Sequence, residues 1–299
     1  MALFLKNSEM WDRALGGNSN LKQIPHWFAN FVYVLVGFVF KIAFRYRVDG
    51  RENLRAFKNK CGAVVVSNHT SFLDVVFTYL AARPSQFVRL MGRDNLFTNA
   101  GGLAGQILSR VGAFPIKRNS ADRLAIKRAA KMLKTNQLVG IMPEGTRRGK
   151  GSKQPEIHAG AAFIAKMGNA PILPMCVRNA EKIKQKGKFL RFPKVTIEYG
   201  KPVCVSDFDF LPKAQRLEAC TWFAMRECFA LVQNCAPEQV DMKALFPTST
   251  DYTQTFEQHS IQVHEVAEAI NICRPSSAHN ASKQASETSN DKAHIQGRQ

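Results

Sequence analysis

The 299-residue sequence is strongly basic: 42 lysines and arginines stand against 23 aspartates and glutamates, giving a formal net charge of +19. A surface of this charge binds polyanions, which leaves nucleic acid, anionic lipid headgroups and phosphate-bearing substrates or carriers as partner classes. Hydrophobic residues make up 45% of the chain, which excludes disorder over most of its length. The seven cysteines include no Cys-x-x-Cys pair, so we expect free thiols in a reducing compartment.

The first apolar element is Gln23 to Phe40, which contains no lysine, arginine, aspartate or glutamate. The residues before it lack the apolar run and cleavage site of a signal peptide, so none is expected. The segment is close to the minimum of about 17 residues for a bilayer span. Three interpretations stay open: an interfacial or re-entrant helix, a true span, and an ordinary buried helix. Trp27 and Tyr33 suit a membrane interface, and Lys41 could pair with anionic headgroups.

From residue 46 to residue 235 the chain alternates apolar strand-like runs with helical patterns, which predicts an α/β fold. The predicted strands cover residues 63–67, 87–91, 138–142, 171–177 and 195–199. The predicted helices cover residues 72–82, 121–134, 159–167 and 212–234. Continuous apolar strands indicate a mostly parallel or mixed central sheet, flanked by helices and buried on both faces.

These patterns divide the chain into four regions. Residues 1–45 are predicted to form an N-terminal helical membrane-associating segment, and residues 46–235 the central domain. Residues 236–274 form a C-terminal extension with weaker patterning. Residues 275–299 have low hydrophobicity, which predicts a disordered tail.

The first block with chemical potential is Asn68-His-Thr-Ser-Phe-Leu-Asp74, directly after the predicted strand 63–67. Ligand-facing residues of α/β sheets often lie just past the carboxyl end of a strand. His69 could remove a proton from a hydroxyl, because imidazole titrates near the operating pH. Asp74 could hold the far ring nitrogen if the chain turns into a helix that is capped by a hydroxyl residue. The alternative is a capped turn whose histidine is only hydrogen-bonded.

The second block is Phe114-Pro-Ile-Lys-Arg118, in which two cations follow a short apolar stretch. Arg118 offers a planar fork of donors and Lys117 a point charge, and the N-terminus of a following helix would add its dipole. These features suit a phosphate group. The alternative is a solvated basic loop.

The third block is Pro143-Glu-Gly-Thr-Arg147, which again stands at the end of an apolar strand. Gly145 allows backbone donors to approach a ligand closely. Thr146 and Arg147 can bond phosphate or hydroxyl oxygens, and Glu144 can accept from a substrate hydroxyl or hold Arg147 in place. The alternative is a polar hairpin loop.

Together with the proline-rich segment 171–174, these blocks resemble the glycerolipid acyltransferase family, which includes PlsC-type 1-acyl-sn-glycerol-3-phosphate (lysophosphatidic acid) acyltransferases. That family has an Asn-His-x4-Asp block, an apolar-x-x-Arg block, a Pro-Glu-Gly-Thr-Arg block and a proline-rich apolar block. They stand here in the same order, at 68–74, 114–118, 143–147 and 171–174. Four ordered motifs are far more specific than any one of them.

The resemblance implies the transfer of a fatty acyl chain to the free hydroxyl of 1-acyl-glycerol-3-phosphate, giving phosphatidate, with 46–235 as the acyltransferase domain. His69 and Asp74 would be the catalytic pair, with His69 as the general base. Residues of the second and third blocks would hold the acceptor phosphate and glycerol: Lys117, Arg118, Glu144, Gly145, Thr146 and Arg147. No metal and no bound cofactor are implied, since acyl-CoA or acyl-carrier protein would be the acyl-donor substrate.

Other functions stay open beside this one. The acceptor could instead be glycerol-3-phosphate or a lyso-ornithine lipid, since these differ in contacts with the acceptor and not in the His-Asp pair. A nucleic-acid-binding protein or a membrane scaffold would share the basic charge. The apolar segment 23–40 does not suit a nucleic-acid-binding protein, so we expect no nucleic-acid partner.

The segment 182–194 carries six cations and no acid, interleaved with four apolar residues. Such a mixture suits an anionic bilayer surface, where each cation contributes about 1 kcal/mol, and the alternative is a solvated loop. We therefore expect a membrane-associated protein on the cytoplasmic face of the inner or plasma membrane. Its expected partners are lysophosphatidate and the anionic bilayer, with acyl-carrier protein as a further candidate.

Overall fold

Seven strands form the central sheet of the computed structural model, which describes residues 6–18, 20–98, 102–117, 122–148, 154–185, 187 and 189–274. The strands are β1 Arg47–Asp49, β2 Ala63–Ser67, β3 Val88–Arg93, β4 Phe114–Ile116, β5 Leu138–Ile141, β6 Ile172–Arg178 and β7 Thr196–Tyr199. Their order across the sheet is β1-β7-β6-β2-β5-β3-β4. β6 and β7 pair antiparallel and the other neighbours pair parallel, so the sheet is mixed.

The helices cover both faces of this sheet. They are α1 Asn7–Asp12, α2 His26–Phe44, α3 Arg51–Arg55, α4 Asp74–Ala82, α5 Leu103–Arg110, α6 Arg123–Lys134, α7 Gly160–Gly168, α8 Arg216–Gln233, α9 Met242–Leu245, α10 Thr253–Gln258 and α11 Val266–Cys273. One apolar cluster joins the sheet to α6, α7 and α8, and a second joins it to α2, α3 and α4. The fold is therefore a layered α/β arrangement with a core on each side of the sheet.

The central strand β2 shows why the sheet is buried on both faces. All five of its residues are buried. Val64 and Val66 belong to the cluster beneath α6, α7 and α8, whereas Ala63 and Val65 belong to the cluster beneath α2 and α4. Successive strand side chains point to opposite faces, so an unbroken apolar run fills both cores. Each buried valine contributes about 1.5 to 3 kcal/mol relative to an exposed one.

The predicted fold class is confirmed, since a mixed sheet is flanked by helices and preceded by an apolar helix. Two strands were not predicted. β1 lies at one edge of the sheet and contains an arginine and an aspartate, so it has no apolar run. β4 lies at the other edge and has only three residues, so its short apolar stretch does not reach the length of a predicted strand.

Helix α2 presents one apolar face to solvent and packs its other face against the protein. Its exposed apolar residues are Trp27, Phe31, Val34, Leu35, Phe38, Val39 and Ile42. It runs antiparallel to α4, because Phe40 contacts Phe77 while Asn30 contacts Arg83. Among the described helices it is the one long and apolar enough to cross a membrane, and only 17% of its most apolar 18-residue stretch is buried. An ordinary buried helix, one of the three interpretations of this segment, is thereby excluded.

The C-terminal extension contributes to the core of the central domain. Met242, Phe246, Tyr252 and Phe256 belong to the apolar cluster beneath α6, α7 and α8, and Val266 of α11 belongs to the other cluster. The predicted tail 275–299 lies outside the described residues. The limits between the four sequence regions remain predictions.

Candidate active site

The first, second and third blocks lie at the carboxyl-terminal edge of the sheet, where its parallel strands end. β2, β5, β3 and β4 are parallel neighbours, so their carboxyl ends lie at the same edge. The first block follows β2, the third follows the adjacent strand β5, and the second follows β4. With about 4.8 Å between neighbouring strands, β5 lies one position from β2 and β4 lies about 14 Å away. The first and third blocks are therefore in contact range, and the second flanks them.

Asn68 ends the central strand with its side chain. Its amide Nδ2 donates to the Val177 carbonyl at 3.0 Å, and the Val177 N–H donates to Asn68 Oδ1 at 2.9 Å. One side-chain amide thus bonds both main-chain polar groups of Val177, the partners that the main chain of β2 would bond if the strand continued. The main chain is free to leave the sheet here, which places His69 at the start of a turn.

The turn brings His69 and Asp74 together. His69 Nδ1 lies 3.3 Å from Asp74 Oδ2, and the Asp74 side chain is completely buried. The same oxygen accepts the backbone N–H groups of Thr70 at 2.6 Å and Ser71 at 2.7 Å. These donors stabilise the ionised carboxylate and fix it beneath the ring. With the Nδ1 proton donated to Asp74, His69 Nε2 carries the free lone pair of a general base.

The hydroxyl residues of the turn do not cap α4 as the sequence suggested. The helix begins at Asp74 without a side-chain capping bond, and Ser71 Oγ instead accepts from the Leu73 N–H at 3.2 Å. Asp74 reaches back to the N–H groups before the helix. The carboxylate therefore organises both the turn and the histidine.

The loop after β5 holds the main chain of His69 from both sides. The His69 N–H donates to Glu144 Oε1 at 3.0 Å, and the Arg148 N–H donates to the His69 carbonyl at 2.9 Å. Glu144 Oε2 lies 2.7 Å from Arg148 Nε, which closes a ring of contacts through the ion pair. Glu144 is 1% exposed, so its oxygens face these protein groups. The placement of Glu144 at the acceptor stays a prediction.

Arg148 is itself held by the helices that follow in the chain. Its guanidinium lies 4.6 Å from the Phe229 ring centroid and 4.4 Å from that of Phe246, and Nη1 donates to the Leu245 carbonyl at 2.9 Å. Burial raises the pKa of Glu144 to about 7, against the opposing effects of Arg148 and of the His69 N–H. Burial also lowers the pKa of Arg148. The ion pair is thus partly desolvated, and losing either member would leave the other without compensation.

The remaining residues of the third block lie closer to the surface. Gly145 has a φ of +63°, and a side chain there would approach His158 Cδ2 to 3.2 Å, so both the backbone and the space favour glycine. Thr146 and Arg147 are half-buried. The Arg147 guanidinium lies 5.8 Å from the ring centroid of Phe72, an exposed residue of the first block. Arg147 and Phe72 therefore lie together where the first and third blocks reach the surface.

The second block supplies an exposed cation at the same edge. Lys117 follows β4, and its N–H donates to Asp122 Oδ2 at 2.9 Å. Asp122 also accepts from the Ala125 N–H and so caps α6. Arg118, the other predicted phosphate ligand, lies outside the described residues. The geometry brings His69, Asp74 and Glu144 into contact, with Arg147 beside them and Lys117 on the flank.

Comparison with known proteins agrees with this geometry. A family model described as Acyltransferase matches residues 45–178. The 1-acyl-sn-glycerol-3-phosphate acyltransferase of Bacillus subtilis is 32% identical over 175 residues, which cover 58% of this chain and 82% of that protein. The chain belongs to the acyltransferase family. The resemblance to PlsC-type enzymes inferred from the four blocks is thereby confirmed.

One further relative and one solved structure are also similar to this chain. The 1-acyl-sn-glycerol-3-phosphate acyltransferase of Streptococcus pneumoniae is 32% identical over 145 residues, which cover 48% of this chain and 51% of that protein. The crystal structure of the 1-acyl-sn-glycerophosphate acyltransferase PlsC from Thermotoga maritima superimposes with a TM-score of 0.50. It is 20% identical, and the match covers 69% of this chain and 81% of that one, so it supports the fold. With its exposed apolar helix α2, the protein is a membrane-associated acyltransferase.

The sequence motifs give no role to Arg148, a residue on which this acyltransferase site depends. Glu144 was expected to accept from a substrate hydroxyl or to hold Arg147, whereas the structure pairs it with Arg148, the residue after Arg147. The available signal was the spacing, because residues four apart in a compact turn or helix can pair. Arg148 lies just outside the Pro-Glu-Gly-Thr-Arg block, so the motif assigns it no role.

Proposed function

We propose that this acyltransferase moves a fatty acyl chain from a thioester donor to the free hydroxyl of 1-acyl-glycerol-3-phosphate, giving phosphatidate in phospholipid biosynthesis. The observation that carries the proposal is the contact of His69 with a fully buried Asp74 at the edge where Arg147 and Lys117 supply positive charge. A base beside two cations suits a hydroxyl acceptor that bears a phosphate. The printed names of the relatives from Bacillus subtilis and Streptococcus pneumoniae support the same acceptor.

The chemistry follows from the direction of the His69 ring. Nε2 removes the proton of the acceptor hydroxyl as its oxygen attacks the thioester carbonyl, and Asp74 stabilises the imidazolium that forms. When the tetrahedral intermediate collapses, the C–S bond breaks and His69 returns the proton to the leaving thiolate. An ester and a free thiol result. No covalent intermediate on the protein is needed, so none of the seven cysteines has a catalytic role in this reaction.

The thioester donor in this proposal is acyl-CoA or acyl-carrier protein. Both are polyanionic, through phosphates in the first and acidic side chains in the second. The net charge of +19 attracts either. Comparing the two donors at equal concentration with one acceptor would separate them, because the preferred donor should show the higher kcat/KM.

An acceptor panel tests the proposal directly. Purified protein in detergent or vesicles would be given lysophosphatidate, glycerol-3-phosphate and a lyso-ornithine lipid, each with the same donor. Lysophosphatidate should be acylated with the highest kcat/KM, and the lyso-ornithine lipid, which has no phosphate, should be poor. Equal rates on all three acceptors would contradict the assignment of lysophosphatidate as the acceptor. The assignment of the reaction as acyl transfer would still hold.

The acceptor is a lipid, and we propose that it reaches the site from the cytoplasmic face of a bilayer. Because α2 is antiparallel to α4, its C-terminal end lies beside the first turn of α4, where Asp74 begins. One face of α2 packs on α4 and the other is exposed and apolar, which favours a helix lying in the interface over one that spans. Lipid held along α2 would thus be close to Phe72 and Arg147.

The loop of residues 189–192 extends this apolar face. Phe189 is 95% exposed, and Leu190 and Phe192 are also exposed. Arg45 at the end of α2 donates to the Phe192 carbonyl at 2.7 Å, and the Phe44 and Phe192 rings lie 5.7 Å apart. The loop and α2 therefore form one surface, which the cations of this region would hold on anionic headgroups.

Not every residue of the basic segment 182–194 belongs to that surface. Ile183 was expected to face the bilayer, but it is 1% exposed and lies in the core beside α4. Lys186 and Lys188 lie outside the described residues. The apolar contact with the bilayer comes from the second half of the segment.

Vesicle binding tests this surface. Phe189→Ser should weaken binding to phosphatidylglycerol vesicles about tenfold, the loss expected when one buried aromatic side chain is removed from an apolar phase. Phe210→Ser is the matched control, because Phe210 is an exposed phenylalanine two residues after Phe208, which belongs to the core on the opposite face of the sheet. Equal binding by both variants and the parent protein would exclude the loop from the membrane surface.

A further inference from the structure

A second cluster of reactive side chains lies in elements that the acyl-transfer site does not use. Cys204 and Asp207 follow β7, whereas His264 comes just before α11. One ligand atom from each of these three residues lies within 4.8 Å of the others. Cys204 is fully buried, and the other two are partly buried. A thiol, a carboxylate and an imidazole at this spacing form the mixed ligand set that zinc prefers.

Cys273, at the end of α11, lies beside this group, although its Sγ is not within 4.8 Å of all three ligand atoms. Its Sγ lies 3.7 Å from Cys204 Sγ, and both thiols are free. Two thiolates on one tetrahedral zinc ion, each about 2.3 Å from the metal, lie about 3.8 Å apart. A nitrogen and an oxygen at about 2.0 Å lie about 3.3 Å apart on the same ion. His264 Nε2 and Asp207 Oδ2 are 3.1 Å apart.

The imidazole is oriented as a metal ligand would be. Within the described residues, His264 Nε2 is buried and has no hydrogen-bond partner of acceptable geometry, despite its closeness to Asp207. Its other nitrogen, Nδ1, lies 3.3 Å from Glu268 Oε1. A carboxylate on the far nitrogen fixes the tautomer that leaves Nε2 free to bind a metal. The His264 N–H donates to the Pro202 carbonyl at 2.9 Å, which holds the residue beside the chain after β7.

We propose that Cys204, Asp207, His264 and Cys273 bind one zinc ion. All four positions of a tetrahedral ion are then filled by protein, which is the arrangement of a structural site. Both thiols bind as thiolates, and their two protons pass to solvent. The ion would fasten α11 and the residues before it to the segment that follows β7. The site is independent of the acceptor and of the chemistry at His69.

Two other states of the cluster compete with zinc. One is a metal-free group in which His264 is hydrogen-bonded to its carboxylates. The other is a disulfide between Cys204 and Cys273, which would need the two sulfur atoms to move together to about 2.05 Å. Neither state would bind a divalent transition metal with thiolate ligands, so metal binding separates the zinc site from both. Intact mass then separates the disulfide from the metal-free group, because the disulfide lacks two hydrogens.

The full-length protein would be purified without chelator, analysed for bound zinc, and then titrated with cobalt(II) after reduction and removal of the metal. Co²⁺ reports tetrahedral thiolate sites by ligand-field and sulfur charge-transfer absorption. We expect one ion per chain, with both absorptions, and a lower Tm in the metal-free protein. Cys273→Ser and His264→Gln should weaken binding at least tenfold. Cys235→Ser and His259→Gln, which alter a partly buried cysteine and an exposed histidine elsewhere, should bind as the parent does.

Three results would overturn the zinc site. The first is reduced parent protein that shows no thiolate absorption with cobalt, an outcome that does not depend on any variant folding. The second is an intact mass lowered by two hydrogens, with peptide mapping that joins Cys204 to Cys273. The third is equal metal affinity in Cys273→Ser and Cys235→Ser.

Discussion

The active site has a buried half and an exposed half, and they are built differently. His69, Asp74, Glu144 and Arg148 form the buried half, in which each group contacts another at 3.3 Å or less. Arg147 and Lys117 form the exposed half, in which Lys117 is exposed and Arg147 is half-buried beside the exposed Phe72. The base must be held in one orientation before the acceptor arrives, because misplacement is costly to catalysis. The cations do not need a fixed orientation until the acceptor phosphate binds. The buried half should therefore govern turnover and stability, and the exposed half acceptor affinity.

The largest effect should come from His69→Ala. Loss of general-base catalysis should lower kcat by up to about 10⁴-fold, the upper end of what proton transfer supplies. Steady-state rates with saturating lysophosphatidate would measure it. The control is His259→Ala, an exposed histidine that should retain full activity. If His69→Ala keeps a large share of turnover while its vesicle binding is unchanged, the base lies elsewhere.

Arg148→Met should show that the buried half depends on its ion pair. The substitution leaves the Glu144 carboxylate buried without its partner, which should lower the free energy of unfolding by about 3 kcal/mol. Urea unfolding would measure the loss. The neighbouring change Arg147→Met removes a half-buried cation that forms no salt bridge within the described residues, and it should cost under about 0.5 kcal/mol. Equal losses would erase the distinction between the two halves.

The pKa of Glu144 gives the buried half a dependence on pH. Burial raises this pKa from the ordinary 4.5 to about 7, so the folded protein keeps a proton that the unfolded chain has lost. The contribution of the neutral carboxyl is complete below pH 4.5 and disappears as the pH rises to 7. The unfolding free energy of the parent, relative to Glu144→Gln, should therefore fall across this window and level off above it. A constant difference would mean that Arg148 keeps Glu144 ionised throughout.

The exposed half should show the smallest effects, and they should fall on the acceptor. Arg147→Ala should raise the KM for lysophosphatidate about tenfold, the loss of one charge-assisted hydrogen bond. Lys117→Ala should raise it less, because β4 lies about 14 Å from β2 across the sheet. The KM for the donor should not change in either variant. A change in the KM for the donor alone would mean that these cations bind the acyl donor and not the acceptor.

Much of the fold follows from apolar runs in the sequence. Residues 63–67, 138–142 and 171–177 are continuous apolar stretches, and each forms a strand that is buried on both faces. The edge strands β1 and β4 were missed for a physical reason. Each has three residues and only one neighbour, so partner strands stabilise it more than its own composition does.

The site was predictable where its contacts are local. His69 and Asp74 are five residues apart, and one turn brings them together. The Glu144 contact with the His69 N–H joins residues 75 positions apart, and no local pattern encodes it. The proposed zinc site was missed for a related reason. Its ligands come from two segments about sixty residues apart, and their spacing resembles no metal-binding motif.

The side chain of Asn68 has a consequence for the dynamics of this edge. Because the Asn68 amide bonds Val177 at the point where β2 ends, the Val177 N–H is hydrogen-bonded to a side chain and not to the neighbouring main chain. Rotation of that one side chain would break both of its hydrogen bonds to Val177 without breaking a main-chain hydrogen bond of the sheet. Hydrogen exchange at Val177 therefore reports how often the edge opens locally without unfolding of the sheet.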